Sequence, residues 1–406
     1  MSELATPSSI ERISAEPSKF QLDRVLLIIS AHFINDTYSS FLAPFLPSLI
    51  DKLTLTYTQA GSLSAIMQFP SLLNPIIGYL DDRINLRILV ILAPAVTATT
   101  MTCLGIAPSY MSLLLLLFIT GLSISAFHAP SPAMIARASA HQVGKGMSYY
   151  MAAGELGRTI GPLVASWGLL TVGFGRMLPL AIPGWIATLV LFLRFKGIAV
   201  HVEKQTGFRE VIPSALRLFI PVVGIVFLRS FLITGMGVYL PTLLEGEGTG
   251  IWKASIALAI YQFAGVFGAM LGGTISDRLG RKPVLFVVSF FAPIMVFLFL
   301  SSSGWVTILV LSLAGLLSLS AQPILLAIVQ DQLPDHRSVG NGIFMAISFI
   351  CLSLAAVVIG MLGDKFGLQQ AFMWITLVGL LSAPLVWTLP KPPPTTELSS
   401  VPFSGD

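Results

Sequence analysis

Twelve stretches of eighteen or more mostly apolar residues recur along this 406-residue chain, at 24–50, 59–80, 88–107, 111–136, 147–170, 177–195, 215–243, 254–275, 283–300, 305–330, 339–362 and 369–390. About 20 such residues in a helix cross the hydrocarbon of a bilayer. In lipid every backbone N–H and C=O must be satisfied inside the protein, so runs of this length are read as helices. They are too long and continuous for the alternating segments of about ten residues that build a membrane barrel. Only 10% of the residues are charged, against roughly 25% in a soluble domain. The expectation is an all-α membrane protein of twelve transmembrane helices.

Within that pattern one charged loop occurs twice. Gly78-Tyr79-Leu80-Asp81-Asp82-Arg83-Ile84-Asn85-Leu86-Arg87 follows the second apolar run, and Gly273-Thr274-Ile275-Ser276-Asp277-Arg278-Leu279-Gly280-Arg281-Lys282 follows the eighth. Leu46-Pro47-Ser48 and Leu240-Pro241-Thr242 repeat at nearly the same offset, as do Gly144-Lys145-Gly146 and Gly340-Asn341-Gly342. A repeat of half the chain length implies two parallel six-helix halves. The halves are expected at 23–196 and 215–390, joined by a cytoplasmic linker at 197–214 and flanked by tails at 1–22 and 391–406. With both termini cytoplasmic, 17 basic residues fall inside, 4 outside and 2 within spans, which together are the 23 of the composition. That bias sets the orientation. The net charge of +4 is dispersed and gives no basic patch for nucleic acid. Cys103 and Cys351 both lie in apolar runs, which excludes a disulfide framework or a cysteine zinc site.

Six ionisable residues interrupt the apolar runs: His32, Asp36, His128, Glu155, Arg158 and Arg229. Such groups are costly in a bilayer and usually functional. At about 1.5 Å per residue, all lie roughly 12–21 Å from the cytoplasmic helix ends, near the midplane where transporters bind substrate. His32 and Asp36 share a helix face. Glu155 and Arg158 are three apart and could neutralise each other; Arg229 could serve as an anchor for Asp36 or a backbone carbonyl. Asp36, with His32 beside it and Glu155 as a further carboxylate, is the candidate for loading and releasing protons. Arginines stay charged and suit the holding of an anion by forked hydrogen bonds. Asn35, His128, Arg158, Arg229, Tyr261, Gln262 and Gln322 are therefore the candidate substrate-binding residues. Gly157, Gly161 and Pro162 are expected to allow close packing and bending of the fifth helix.

The loop pattern Gly-x-x-x-Asp-Arg-x-Gly-Arg-Arg, nearly complete at Gly273, Asp277, Arg278, Gly280 and Arg281, resembles the signature of the major facilitator superfamily, as does the six-plus-six organisation of the whole chain. The copy at Gly78, Asp82 and Arg83 is degraded, with Asn85 for the second glycine. The resemblance implies alternating access, with spans one, four, seven and ten lining the cavity. It also implies a gating role for both loops, Asp82 latching the eleventh span and Asp277 the fifth. Gly157-x-x-x-Gly161-Pro162 resembles part of the exporter signature of proton-coupled drug antiporters. His32-Phe33-Ile34-Asn35-Asp36, Phe127-His128-Ala129-Pro130, Ile135-Ala136-Arg137 and Arg229-Ser230 are similar to the fosmidomycin-resistance branch, whose members export a phosphonate antibiotic.

The expected function is proton-coupled export of a small anionic or amphipathic compound by a monomer in a bacterial cytoplasmic membrane. The partners are a small molecule, protons and lipid, with no cofactor. Uptake of an organic anion or nutrient is the alternative, and a non-transporting receptor a more distant one. Enzyme motifs are absent from the sequence: there is no nucleotide loop, no His-Glu-x-x-His and no serine elbow.

Overall fold

The computed structural model describes residues 19–74, 77, 87–194, 212–333 and 337–390. Among these residues the regular structure is entirely helical. Among the described residues nine helices are long and apolar enough to cross a membrane, and Leu178–Arg194 is a shorter apolar helix. Twelve spans are expected from the sequence, and the difference lies in three places. The second span is described as α-helix Tyr57–Gln68 and a 3-10 turn Phe69–Leu73, with residues 78–86 outside the described part. The fifth is a continuous helix, Val143–Thr171, whose hydropathy is diluted by glycines and by Glu155 and Arg158. The sixth is the short helix named above.

The elements that position the interior are α1 (Leu22–Ser39), α2 (Leu42–Leu53), α3 (Tyr57–Gln68), α4 (Arg87–Thr102), α5 (Tyr110–His128), α6 (Ser131–Ala138), α7 (Val143–Thr171) and α8 (Ile182–Arg194). Then follow α9 (Ile212–Thr234), α10 (Leu240–Gly246), α11 (Ile251–Leu279), α12 (Arg281–Ser301), α13 (Trp305–Gln332), α14 (Arg337–Phe366) and α15 (Leu368–Leu380). α1 and α2 are one span broken at Ser40–Phe41. Pro44 and Pro47 lack N–H groups, so the carbonyls four residues earlier lose their helical donors. Nearby hydroxyls occupy other carbonyls around the break: Ser39 bonds the Asp36 carbonyl at 3.0 Å and Ser40 that of Thr37 at 2.8 Å. In α9–α10 the matching break is a π-helical turn, Gly235–Tyr239, ahead of Pro241. At the duplicated loop, Gly280 turns the chain between α11 and α12 with φ 94°, a left-handed conformation that costs glycine little.

Three apolar cores show how the halves meet. One is shared, with Phe41, Leu46 and Leu63 beside Met236, Tyr239 and Phe372. A second contains only residues from the second half, including Leu218, Ile324 and Leu389. A third contains only residues from the first half, including Val25, Phe127 and Tyr150. The helices alternate in direction, so the shared core lies at the end remote from the Asp277 loop and the separate cores lie at the end that carries it. The halves share an apolar core at one end and keep separate cores at the other, an arrangement read as a cleft between them at that end.

Candidate functional site

Three side chains from two separated stretches converge midway along the first half. Asp36 is on α1, one turn before the break. His128 is the last residue of α5, where Pro130 and Pro132 interrupt the fourth span. His32 lies a turn before Asp36. The Nε2 atoms of His32 and His128 are 3.2 Å apart. His32 Nε2 is 3.4 Å from Asp36 Oδ2, and His128 Nε2 is 3.3 Å from Asp36 Oδ1. Asp36 is 2% and His32 3% exposed, whereas the His128 side chain keeps 31% of its surface open.

The site is held from all sides. His32 Nδ1 lies 2.9 Å from the Tyr150 carbonyl, and His128 Nδ1 lies 2.9 Å from the Ile124 carbonyl. A carbonyl only accepts, so each Nδ1 carries a proton, and whenever a ring is neutral its Nε2 presents a lone pair. The His32 ring stacks on Tyr150, with centroids 3.9 Å apart, and on Phe127 at 5.6 Å. Tyr150 is fixed in turn by a 2.7 Å hydrogen bond between its hydroxyl and that of Ser131. Thr97 donates to Asn35 Oδ1 at 2.9 Å, which turns the Asn35 amide toward Asp36 Oδ1 at 3.4 Å. α7 comes close enough only because Gly154 and Gly157 have no side chain. A Cβ on Gly154 would strike the His32 ring, and one on Gly157 would strike the Phe33 carbonyl and come within 3.2 Å of Asp36 Cβ. Gly161 packs in the same way against Ser40 and Thr37.

Glu155 and Arg158 form an ion pair within one turn of α7, and the Arg158 side chain is 42% exposed. Lipid contact at that depth would leave a charge in hydrocarbon, so this exposure is read as opening on the cleft. Gln322 is exposed and Gln262 partly so. Arg229 is elsewhere. It is 3% exposed and donates to Ser289 Oγ at 3.0 Å and to the Ser318 carbonyl at 2.7 Å, both in its own half. Asp36 is therefore not its partner. Tyr261 is buried, with its hydroxyl facing Ser318 and Arg229.

Of the loop residues, Gly78, Asp82 and Arg83 lie outside the described part. Asp277 is 59% exposed and pairs with Arg281 at 2.5 Å, and Arg281 also reaches Asp331 at 3.2 Å. Its contact is thus inside its own half rather than with α7. Gly273 has open space around it, and Arg278 is exposed.

Among the described residues, a carboxylate that bridges the halves is one that sequence reasoning passed over. Asp364, at the end of α14, accepts from Tyr57 N at 2.6 Å, Thr58 N at 2.9 Å and Thr58 Oγ1 at 2.6 Å. It caps the N-terminus of α3 across the join, where unpaired N–H groups and the positive dipole end favour an anion. The Tyr239 hydroxyl shares its one proton between the Tyr57 carbonyl at 3.0 Å and the Ala356 carbonyl at 2.8 Å. The available signal was Thr56-Tyr57-Thr58-Gln59, a capping sequence whose box forms between Thr56 and Gln59.

The profile of the Major Facilitator Superfamily matches residues 28–356 and 253–403. The fosmidomycin resistance protein of Escherichia coli (strain K12) is 25% identical over 395 residues, covering 94% of this chain and 97% of that protein. The multidrug resistance protein MdtG of Klebsiella pneumoniae (strain 342) is 25% identical over 273 residues, covering 63% of this chain and 66% of that protein. Among solved structures, a bacterial homologue of the human lysosomal transporter Spinster, inward-facing and unoccupied, aligns with a TM-score of 0.76 at 16% identity, over 92% of this chain and 98% of that one. A D-xylose–proton symporter aligns at 0.70 and 16% identity, over 92% and 99%. These structural likenesses speak for the fold.

Proposed function

The chain belongs to the Major Facilitator Superfamily, and from that premise we propose that it is a proton-coupled secondary transporter that exports a small anionic or amphipathic compound. It would span the bacterial cytoplasmic membrane twelve times as a monomer, in two six-helix halves with both termini in the cytoplasm. The observation that carries the reading is the convergence of two imidazole Nε2 atoms on a buried carboxylate midway along α1. Three acceptors at hydrogen-bond distance repel one another unless a cation lies among them, and the ion that a side chain can gain and lose most readily is a proton. His128 connects this group to the cleft, where Arg158 supports an anionic ligand.

The direction of transport follows the relatives, whose names are those of resistance proteins. Alternating access is supported by the unequal ends of the molecule. The Asp364 cap closes one end, and at the opposite end Asp277 pairs with Arg281 in its own half. Opening one end while closing the other requires the Asp364 contacts to break.

The test is proton movement in proteoliposomes driven by a panel of phosphonates, phosphates and carboxylates, fosmidomycin among them, with wild type against Asp36→Asn. Flux that is present in wild type and lost in the variant supports the reading. Flux that survives the variant removes Asp36 from coupling, and the absence of flux with every compound removes the transport reading. Counterflow from liposomes loaded on one side separates export from uptake.

A further inference from the structure

We propose that His32, Asp36 and His128 form a binding site for a divalent transition metal ion of the Zn²⁺ class, with three protein ligands and a fourth position open to the cleft. The proposal uses the same side chains as the coupling reading but does not rest on it, because metal binding is read at equilibrium without transport.

The geometry is that of a ligand set. Zinc–nitrogen bonds of about 2.0–2.1 Å place tetrahedral ligand atoms about 3.3 Å apart and octahedral ones about 2.9 Å apart. The observed separations are 3.2 Å between the two Nε2 atoms and 3.3 and 3.4 Å from each Nε2 to its nearer carboxylate oxygen. One donor atom from each residue can be chosen with all three inside 4.8 Å. The carboxylate shows one oxygen to each ring, so an ion between the rings can take either oxygen or both.

The surroundings are those of a metal site too. Ligating histidines usually donate their other ring N–H to a carbonyl or carboxylate, which fixes the tautomer and the ring direction. Both rings here do so, to Tyr150 and Ile124. A single shared proton satisfies one pair of the three acceptors, whereas a metal ion satisfies all three. The His32 ring is clamped between Phe127 and Tyr150. The nearby Arg158 does not supply the missing positive charge, because it is paired with Glu155. Three protein ligands with one position open is also the arrangement in which zinc takes a water or a solute oxygen. The half-open His128 is where an anionic solute would reach it. Two imidazoles and a carboxylate suit zinc, cobalt or iron(II) rather than the all-oxygen shells of Mg²⁺ or Ca²⁺.

The test uses tag-free, chelator-treated full-length protein in detergent. Zn²⁺ is titrated by calorimetry, and Co²⁺ is titrated in parallel by visible absorption. The expected result is one ion per chain, the absorption of four-coordinate Co²⁺, and a rise in melting temperature with Zn²⁺. Loss of a ligand should exceed the 10–100-fold cost typical of outer-shell changes, so the affinity should fall by at least about tenfold in His32→Gln, Asp36→Asn and His128→Gln. His141→Gln, at an exposed position, should bind as wild type. His128 is the most exposed ligand, so His128→Gln, matched to wild type in its metal-free melting, decides the matter if a more buried variant fails to fold. The absence of saturable binding, or binding that His128→Gln leaves unchanged, overturns the proposal. Either result would leave the proton-flux experiment to stand or fall by itself.

Discussion

The first span of each half begins from the same plan and ends with opposite chemistry. The break at Ser40–Phe41 and the π-helical turn at Gly235–Tyr239 are separated by the repeat offset of the chain, and each precedes the shared Leu-Pro pair. Yet the positions that match His32 and Asp36 at the offset of 194 set by the Leu-Pro pair are Val226 and Ser230, neither of them ionisable. The second half carries a cation instead, Arg229, held by a hydroxyl and a carbonyl. Duplication preserved what bends the helix, since proline and the loss of a backbone donor act locally. It did not preserve the charges, because a charge in the membrane survives only where neighbouring helices provide for it. α7 supplies glycines where it meets α1, but at the offset of 196 that relates Gly144 to Gly340, Gly154 and Gly157 correspond to Ile350 and Ser353 on α14. The first half can therefore bring a helix against its ionisable cluster in a way the second cannot.

This contrast can be broken most sharply at Asp36. Asp36→Asn keeps the size of the side chain and removes its charge. It is expected to abolish substrate-driven proton movement, read with a pH-sensitive dye, while Arg229→Lys retains it. If Arg229→Lys also stops proton movement in folded protein, the division of labour between the halves is wrong. Arg229→Ala tests the second half by stability. Hydrogen bonds to a charged group contribute about 1.5–3 kcal/mol each, so thermal unfolding in detergent should reveal a loss on that order, and Arg229→Lys should lose less. An unchanged melting curve would make Arg229 a free ligand group rather than a built-in part of α9.

Gly154→Ala probes the packing that distinguishes the halves. Overpacking of this kind costs about 1–3 kcal/mol, and here the added methyl meets the His32 ring. The expected outcome is a lower melting temperature together with weaker proton coupling. Normal coupling would show that α1 and α7 can separate without harm to the cluster. The smallest effect is expected at the closed end. Asp364→Asn keeps one acceptor but loses the charge-assisted bonds to Tyr57 and Thr58, a change of about 1 kcal/mol. That is roughly a fivefold shift in population toward states open at that end. Labelling of a cysteine introduced at Thr58 should report it, and a rate equal to that of the same cysteine in the Asp364 background would mean that the apolar core around Tyr239 does the closing alone.

Much of this architecture could be read from residue order, since helix length, chain breaks and face-sharing are short-range properties. The apolar runs indicated the helices, the loop copies indicated the repeat, and spacings of four and three put His32 beside Asp36 and paired Glu155 with Arg158. A count of spans was less secure. Glycines dilute the fifth run, and the sixth is short, so composition alone divides them less cleanly than it suggests.

Other features depend on which helices touch, and residue order does not contain that. His128 reaches Asp36 across 92 positions, and Arg229 turns to Ser289 and Ser318 rather than to a carboxylate. The carboxylate that caps a helix across the halves is Asp364, outside the duplicated motif altogether. A helix carries its own periodicity and its own breaks, because its backbone bonds close within a turn. Its partners are set by the close packing of whole faces, where one missing methyl at Gly154 decides whether a carboxylate and two imidazoles can meet.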